Sequence, residues 1–122
     1  MTSLPFKFKA IKQPDLVAKY ADMFSAIGTE ARLRILQLLL KAHPEGLVAR
    51  EIHQELGIPN SALSNHLDKL KSEDLIRVRR ESTLFRYTAN TEGLEGLLQF
   101  LLAECCTRSN AARPETIVQI CK

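Results

Sequence analysis

A mainly α-helical domain carrying one β-hairpin is the fold class that this sequence predicts, on three observations. Apolar residues recur at helical spacing in five stretches, two short runs between residues 75 and 88 alternate apolar with polar, and Gly, Pro, Asn and Asp punctuate the joins. With 122 residues and 45% apolar content the chain can bury one core, so a single domain is expected. Lys and Arg number 17 against 14 acidic residues, and the net charge of +3 suits an anionic partner without requiring one. The apolar run over residues 35–40 is far too short to cross a bilayer, and the N-terminus lacks a signal-peptide core and cleavage site. A cytoplasmic protein with no membrane partner is expected.

Residues 1–13 contain Lys7, Lys9 and Lys12 but no helical stripe, and are expected as an N-terminal arm ahead of a domain over 14–106. Pro14 and Asp15 open a first helix, in which Leu16, Val17, Tyr20, Met23, Phe24 and Ile27 keep helical spacing up to Gly28. Thr29 caps a second helix over 30–41, whose Leu33, Ile35, Leu36, Leu38, Leu39 and Leu40 make it apolar almost all round and place it in the centre. His43, Pro44, Glu45 and Gly46 break the pattern, Leu47 and Val48 suit a short edge strand, and a third helix over 49–56 stops at Gly57. Only Gly57, Ile58 and Pro59 separate it from a fourth helix capped by Asn60, so the two meet in a tight turn.

On that fourth helix Leu63, Leu67 and Leu70 share one side, while Ser61, Ser64, Asn65 and Asp68 share the other. The polar side is either an ordinary solvated face or one that enters a DNA major groove, where small Ser and Asn side chains reach base edges and phosphates. Asp74 sits where the helix must stop and the chain must turn, a place for a left-handed conformation. Strands over 75–80 and 84–88 then form a hairpin bearing Arg77, Arg79, Arg80 and Arg86, which is either a charge-protected edge or a phosphate and minor-groove contact. Helix, turn, helix and basic hairpin in this order make a winged helix-turn-helix.

Thr91 and Glu92 start a fifth helix whose Leu94, Leu97, Leu98, Leu101, Leu102 and Cys105 form one apolar stripe. Such a helix needs cover, from its own chain or from a second copy. A homodimer through the first and last helices is the expected arrangement, and it would set two recognition helices about 34–36 Å apart for a palindromic site. The tail over 107–122 carries a third cysteine, Cys121, after the adjacent Cys105 and Cys106. An odd, clustered set argues against a disulfide framework, and neighbouring cysteines rarely bridge to each other. Without His or carboxylate in register the set lacks the fourth ligand of structural zinc, whereas three thiolates fit trivalent arsenic or antimony, with Cys121 supplied within the chain or across the dimer. A purely structural role, or a redox switch joining Cys105 or Cys106 to Cys121, are the alternatives. No His, carboxylate and nucleophile converge in a catalytic motif, so neither an enzyme nor a required cofactor is expected.

Residues 26–36, Ala-Ile-Gly-Thr-Glu-Ala-Arg-Leu-Arg-Ile-Leu, resemble the opening of the second helix in the ArsR/SmtB family of metalloregulatory repressors, and 61–67, Ser-Ala-Leu-Ser-Asn-His-Leu, resemble its recognition helix. The hairpin over 75–87 is similar to its wing, and the likeness extends over about residues 15–102. The resemblance implies a homodimeric repressor that releases double-stranded operator DNA on binding its inducer. It places Asn60, Ser61, Ser64, Asn65 and His66 at the DNA, with Arg79 and Arg80 in the wing. His66 lies at an angle close to the leucines, so bracing the helix is its other possible role.

The third helix lacks the cysteine cluster of many arsenic sensors of this family, the fifth lacks the His and carboxylate spacing of its zinc sensors, and Ser82-Thr83 replace the frequent wing-tip Gly. Members that bind arsenic through a vicinal pair near the end of the fifth helix and a cysteine beyond it are what this chain resembles. The expected function is a repressor released by As(III), or by Sb(III) or a methylated arsenical, at Cys105, Cys106 and Cys121. A thiol redox or reactive-sulfur-sensing repressor of the same fold is the alternative.

Overall fold

Why each segment adopts its form is visible at its ends in the computed structural model, which describes residues 12–108. Helix α1 (Lys12–Ile27) begins two residues before Pro14, which falls within the first turn, where a missing N–H costs no intrahelical bond. Thr29 caps α2 (Glu30–Lys41) as expected, its hydroxyl accepting from the Arg32 N–H at 3.3 Å. Strand β1 (Leu47–Val48) leads into α3 (Ala49–Leu56), where Glu51 reaches back to accept the Val48 N–H at 3.0 Å. Gly57 then ends α3 at a left-handed φ of 71°.

Asn60 does not cap α4 (Asn60–Ser72). Pro59 takes that place: its extended backbone aims its carbonyl at the Leu63 N–H, 2.8 Å away, so Asn60 is already the first helical residue and its side chain is released from capping. At the other end Asp74 adopts a φ of 61°, and the Leu75 N–H returns to the Leu70 carbonyl at 3.0 Å. The left-handed turn expected of Asp74 is what directs the chain into the hairpin.

Strands β2 (Ile76–Glu81) and β3 (Leu84–Ala89) pair antiparallel from Ile76 opposite Ala89 to Glu81 opposite Leu84. Each runs one residue further than expected, which leaves a two-residue tip whose Ser82 has a φ of 59°. The short β1 pairs with β3, giving a three-stranded sheet in the order β1-β3-β2. Gly46 precedes β1 at a φ of 78°, and a Cβ there would run into the Tyr87 carbonyl.

The described residues divide into two compact units, the first ending at Thr91. In the first, Met23, Ile35, Leu39, Ile52, Leu63, Leu70 and Leu75 are fully buried, and α4 packs against β2 and the three preceding helices. Helix α2 is central on one side only. Ile35, Leu36 and Leu39 are enclosed, but Leu33 and Leu40 stay exposed, because elements cover only one flank of the helix. On α1, Leu16, Val17 and Phe24 are exposed as well.

The second unit takes in all of α5 (Thr91–Leu102) except its first residue, and on it Leu98 and Leu101 are more than half exposed at 55% and 58%. Cys105 was expected to extend its helical stripe. Instead the helix stops at Leu102 and the cysteines occupy tight turns, with Cys106 at a φ of 61° that no continuing α-helix accommodates. Residues 1–11 of the expected arm, and 109–122 with Cys121, lie outside the described residues.

Candidate nucleic-acid interface and thiol site

Helix α4 presents the polar face that its periodicity anticipated. Leu63, Leu67 and Leu70 are buried, while Asn60, Ser61, Ser64, Asn65 and Asp68 are all exposed. The turn that sets its direction is held from both sides by His53, a residue not singled out from the sequence. Its carbonyl accepts the Gly57 N–H at 2.8 Å, and its ring Nδ1 lies 2.6 Å from the Ile58 carbonyl, so Nδ1 must carry the proton. The available signal was a His placed one turn before the Gly57-Ile58-Pro59 break.

His66 stands at the border of that face, half-buried, with Nδ1 3.3 Å from Arg32 Nη1. A guanidinium only donates, so Nδ1 accepts and Nε2 is left as the ring's N–H donor. Arg32 also donates through Nε to the Ala26 carbonyl. His66 therefore braces the helix, and keeps one donor besides.

The hairpin does not bring the two expected wing residues together. Consecutive strand residues point to opposite faces, so Arg79 and Arg80 diverge. Arg77, Arg79, Glu81, Leu84 and Arg86 share the outer face. There Arg79 grips Glu81 Oε2 through Nε at 3.0 Å and Nη2 at 2.7 Å, and Arg86 Nε donates to Oε1 at 2.9 Å. Arg86 also reaches the Gly46 carbonyl at 3.3 Å. Hydrogen bonds from Arg86 and then Arg79 hold the Glu81 carboxyl below its ordinary value, and Glu81 in turn raises Arg86.

Val78, Arg80, Phe85 and Tyr87 share the inner face. Val78, Phe85 and Tyr87 line a cleft of about 200 Å³ with Asp68 and Lys71 of α4. Burial, and then the Asp68 charge, push the Tyr87 phenol up.

In the second unit Cys105 and Cys106 are free, half-buried and side by side, their sulfurs 3.4 Å apart. The hydrogen bond with Cys106, then burial, raises the Cys105 thiol. The Cys105 N–H is fixed to the Leu102 carbonyl at 2.9 Å, so the pair is anchored to the end of α5. Among the described residues no three His, Cys, Asp or Glu gather as a metal site, and the third expected ligand, Cys121, is not among them.

A tight helix-turn-helix with an exposed polar second helix, flanked by a basic hairpin, defines a winged helix-turn-helix protein of the DNA-binding class. Residues 27–79 match the family model described as a helix-turn-helix domain. Over 84 residues the chain is 31% identical to the transcriptional activator HlyU of Vibrio cholerae, covering 69% of this chain and 75% of that protein. It is 30% identical over 87 residues to a putative arsenical resistance operon repressor, ArsR2, of Halobacterium salinarum, covering 71% of each. It is 31% identical over 78 residues to the nodulation protein NolR of Rhizobium meliloti, where the match covers 64% of this chain and 62% of NolR. Among solved structures, the homodimeric winged helix-turn-helix DNA-binding domain of Mb0332 from Mycobacterium bovis, a possible ArsR-family regulator, superposes with a TM-score of 0.63 at 26% identity, over 88% of this chain and 100% of that one. The chain belongs to the ArsR family of DNA-binding transcriptional regulators.

Proposed function

We propose that this protein is a homodimeric transcriptional repressor, released from its operator when trivalent arsenic is taken up by Cys105, Cys106 and Cys121. The observation that carries the reading is the pair of free thiols 3.4 Å apart at the end of α5. Arsenous acid condenses with each thiol as an As–S bond forms and an As–OH bond breaks, the thiol proton leaving with the hydroxide as water. Three such steps yield a trithiolate arsenic and three waters without any change of oxidation state. Antimony(III) follows the same balance, and a monomethylated arsenical needs two thiols.

The likeness to ArsR2, named for arsenical resistance, supports this inducer class. Exposed leucines on α1 and α5 and the homodimeric Mb0332 support dimerisation through those helices, which sets two α4 helices for a two-fold symmetric site in a cytoplasmic setting. Arsenic must bind the DNA-releasing geometry more tightly than the DNA-bound one, since equal affinity shifts no population.

A second reading, a thiol redox or reactive-sulfur sensor, draws on the equal likeness to HlyU and NolR, whose names carry no arsenical. In that case two thiols lose two protons and two electrons to a peroxide or persulfide and form one disulfide. One experiment separates the two. The protein selects its operator from a random duplex pool, and gel shifts then follow arsenite and peroxide titrations. Release by arsenite with reduced thiols supports the first reading, and operator binding unchanged at saturating arsenite would sink it.

A further inference from the structure

Strand alternation sorts the hairpin arginines onto two faces with unlike surroundings. On the outer face both oxygens of Glu81 are occupied, by Arg79 and Arg86, and Arg86 also feels the charges of Glu51 and Glu45. A phosphate approaching there meets guanidinium donors already engaged by a carboxylate, whose single charge offsets only part of theirs. The inner face differs. Arg80 lies opposite Phe85, its guanidinium carbon 6.0 Å from the ring centroid, and its Nε donates to the Ser82 carbonyl at 3.3 Å. Its terminal nitrogens have no protein hydrogen bond among the described residues. Phe85 is itself half exposed beside it.

We propose that the wing reaches DNA with Arg80, seated on Phe85, and that Glu81 withdraws Arg79 and Arg86 from that task by locking them into a clamp on the opposite face. The inner face is the one that borders α4: one residue pair inward from Arg80 and Phe85, Val78 and Tyr87 line the cleft with Asp68 and Lys71. Arg80 therefore leaves the hairpin near its tip on the side of the recognition helix, where the sugar-phosphate edge of a groove runs beside an inserted helix. Phe85, within cation–π range of the guanidinium, spares it part of the ordering cost on binding. Glu81 and Phe85 are positioning residues, and Arg80 is the contact. The assignment rests on DNA binding and is independent of the inducer.

The test is a salt titration of binding to a fluorescent mixed-sequence DNA duplex of about 30 base pairs, long enough for two half-sites one turn apart. Each phosphate contact contributes close to 1 to the slope of log affinity against log salt. Arg80→Gln is expected to flatten the slope by about 1 per chain, Arg80→Lys to restore it, and Arg79→Gln to leave it unchanged. Glu81→Gln, which frees two guanidiniums, is expected to steepen it, and Phe85→Leu to weaken binding several-fold, roughly, at an unaltered slope. Thermal melts confirm that each variant is folded. The assignment is overturned if Arg79→Gln flattens the slope as much as Arg80→Gln, or if Arg80→Gln leaves it unchanged. Wild-type protein with no salt-dependent binding would overturn the DNA-binding reading itself and this assignment with it.

Discussion

His66 on the recognition helix accepts a hydrogen bond at Nδ1 from Arg32 Nη1, 3.3 Å away, while the same guanidinium donates through Nε to the Ala26 carbonyl. One side chain thus joins the last turn of α1, the first turn of α2 and the middle of α4. Arg32 thereby ties the position of α4 to that of α1 within the first unit.

Arg32→Met keeps the aliphatic stem but removes both donors. Charged hydrogen bonds in part-buried settings are worth about 1.5–3 kcal/mol, so a loss of about 1–3 kcal/mol of unfolding free energy is expected. Urea unfolding followed by circular dichroism measures it. Operator affinity is expected to fall more than with His66→Gln, whose amide can still accept from Arg32. Equal losses would argue that His66 acts mainly by contacting DNA.

The start of the wing depends on Asn90. Its N–H meets the Leu75 carbonyl at 3.0 Å and its Nδ2 the Asp74 carbonyl at 2.8 Å, with the residue itself 9% exposed. Asn90→Ala strands the Asp74 carbonyl at a left-handed turn and is expected to cost about 1–3 kcal/mol. Hydrogen exchange should show faster opening of β2 and β3. A variant as stable as the wild type would remove Asn90 from this role.

Acid should loosen the outer face of the wing at Glu81. Its carboxyl lies below its ordinary value of 4.5 in the folded protein, so its contribution is fully present above that value and is lost as pH falls through the depressed one. Between neutral pH and about 5 no change from this group is expected. Comparing the wild type with Glu81→Gln in melts over the acid range isolates it. Parallel pH profiles for the two proteins would contradict the clamp.

Substituting either vicinal cysteine should uncouple the signal from DNA binding. Cys105→Ser and Cys106→Ser are each expected to bind operator as the wild type does and to lose most of the arsenite response, because serine is a hard oxygen ligand poorly matched to a thiophilic centre. Mass spectrometry of the arsenite-treated wild type is expected to show one arsenic bound by three sulfurs. Full derepression of both variants by arsenite would exclude the thiol site.

Local rules made much of this protein legible in its residues. Thr29 capping α2, Gly57 closing α3, the split of α4 into Leu63, Leu67 and Leu70 against Ser61, Ser64 and Asn65, and the left-handed Asp74 all follow from interactions within a few residues of each chain position. The adjacency of Cys105 and Cys106 was legible in the same way, although not the turn that draws them off the helix.

What only the tertiary structure decided are relationships between residues far apart in sequence or across a strand pair. The Arg32–His66 bond spans 34 positions and the Arg86–Gly46 bond spans 40, distances at which periodicity carries no information. Composition presented Arg77, Arg79, Arg80 and Arg86 as one basic ribbon. The register separates them, because a pleated strand turns each neighbour to the other face, and only the packing of α4 against β2 determines which face adjoins the recognition helix.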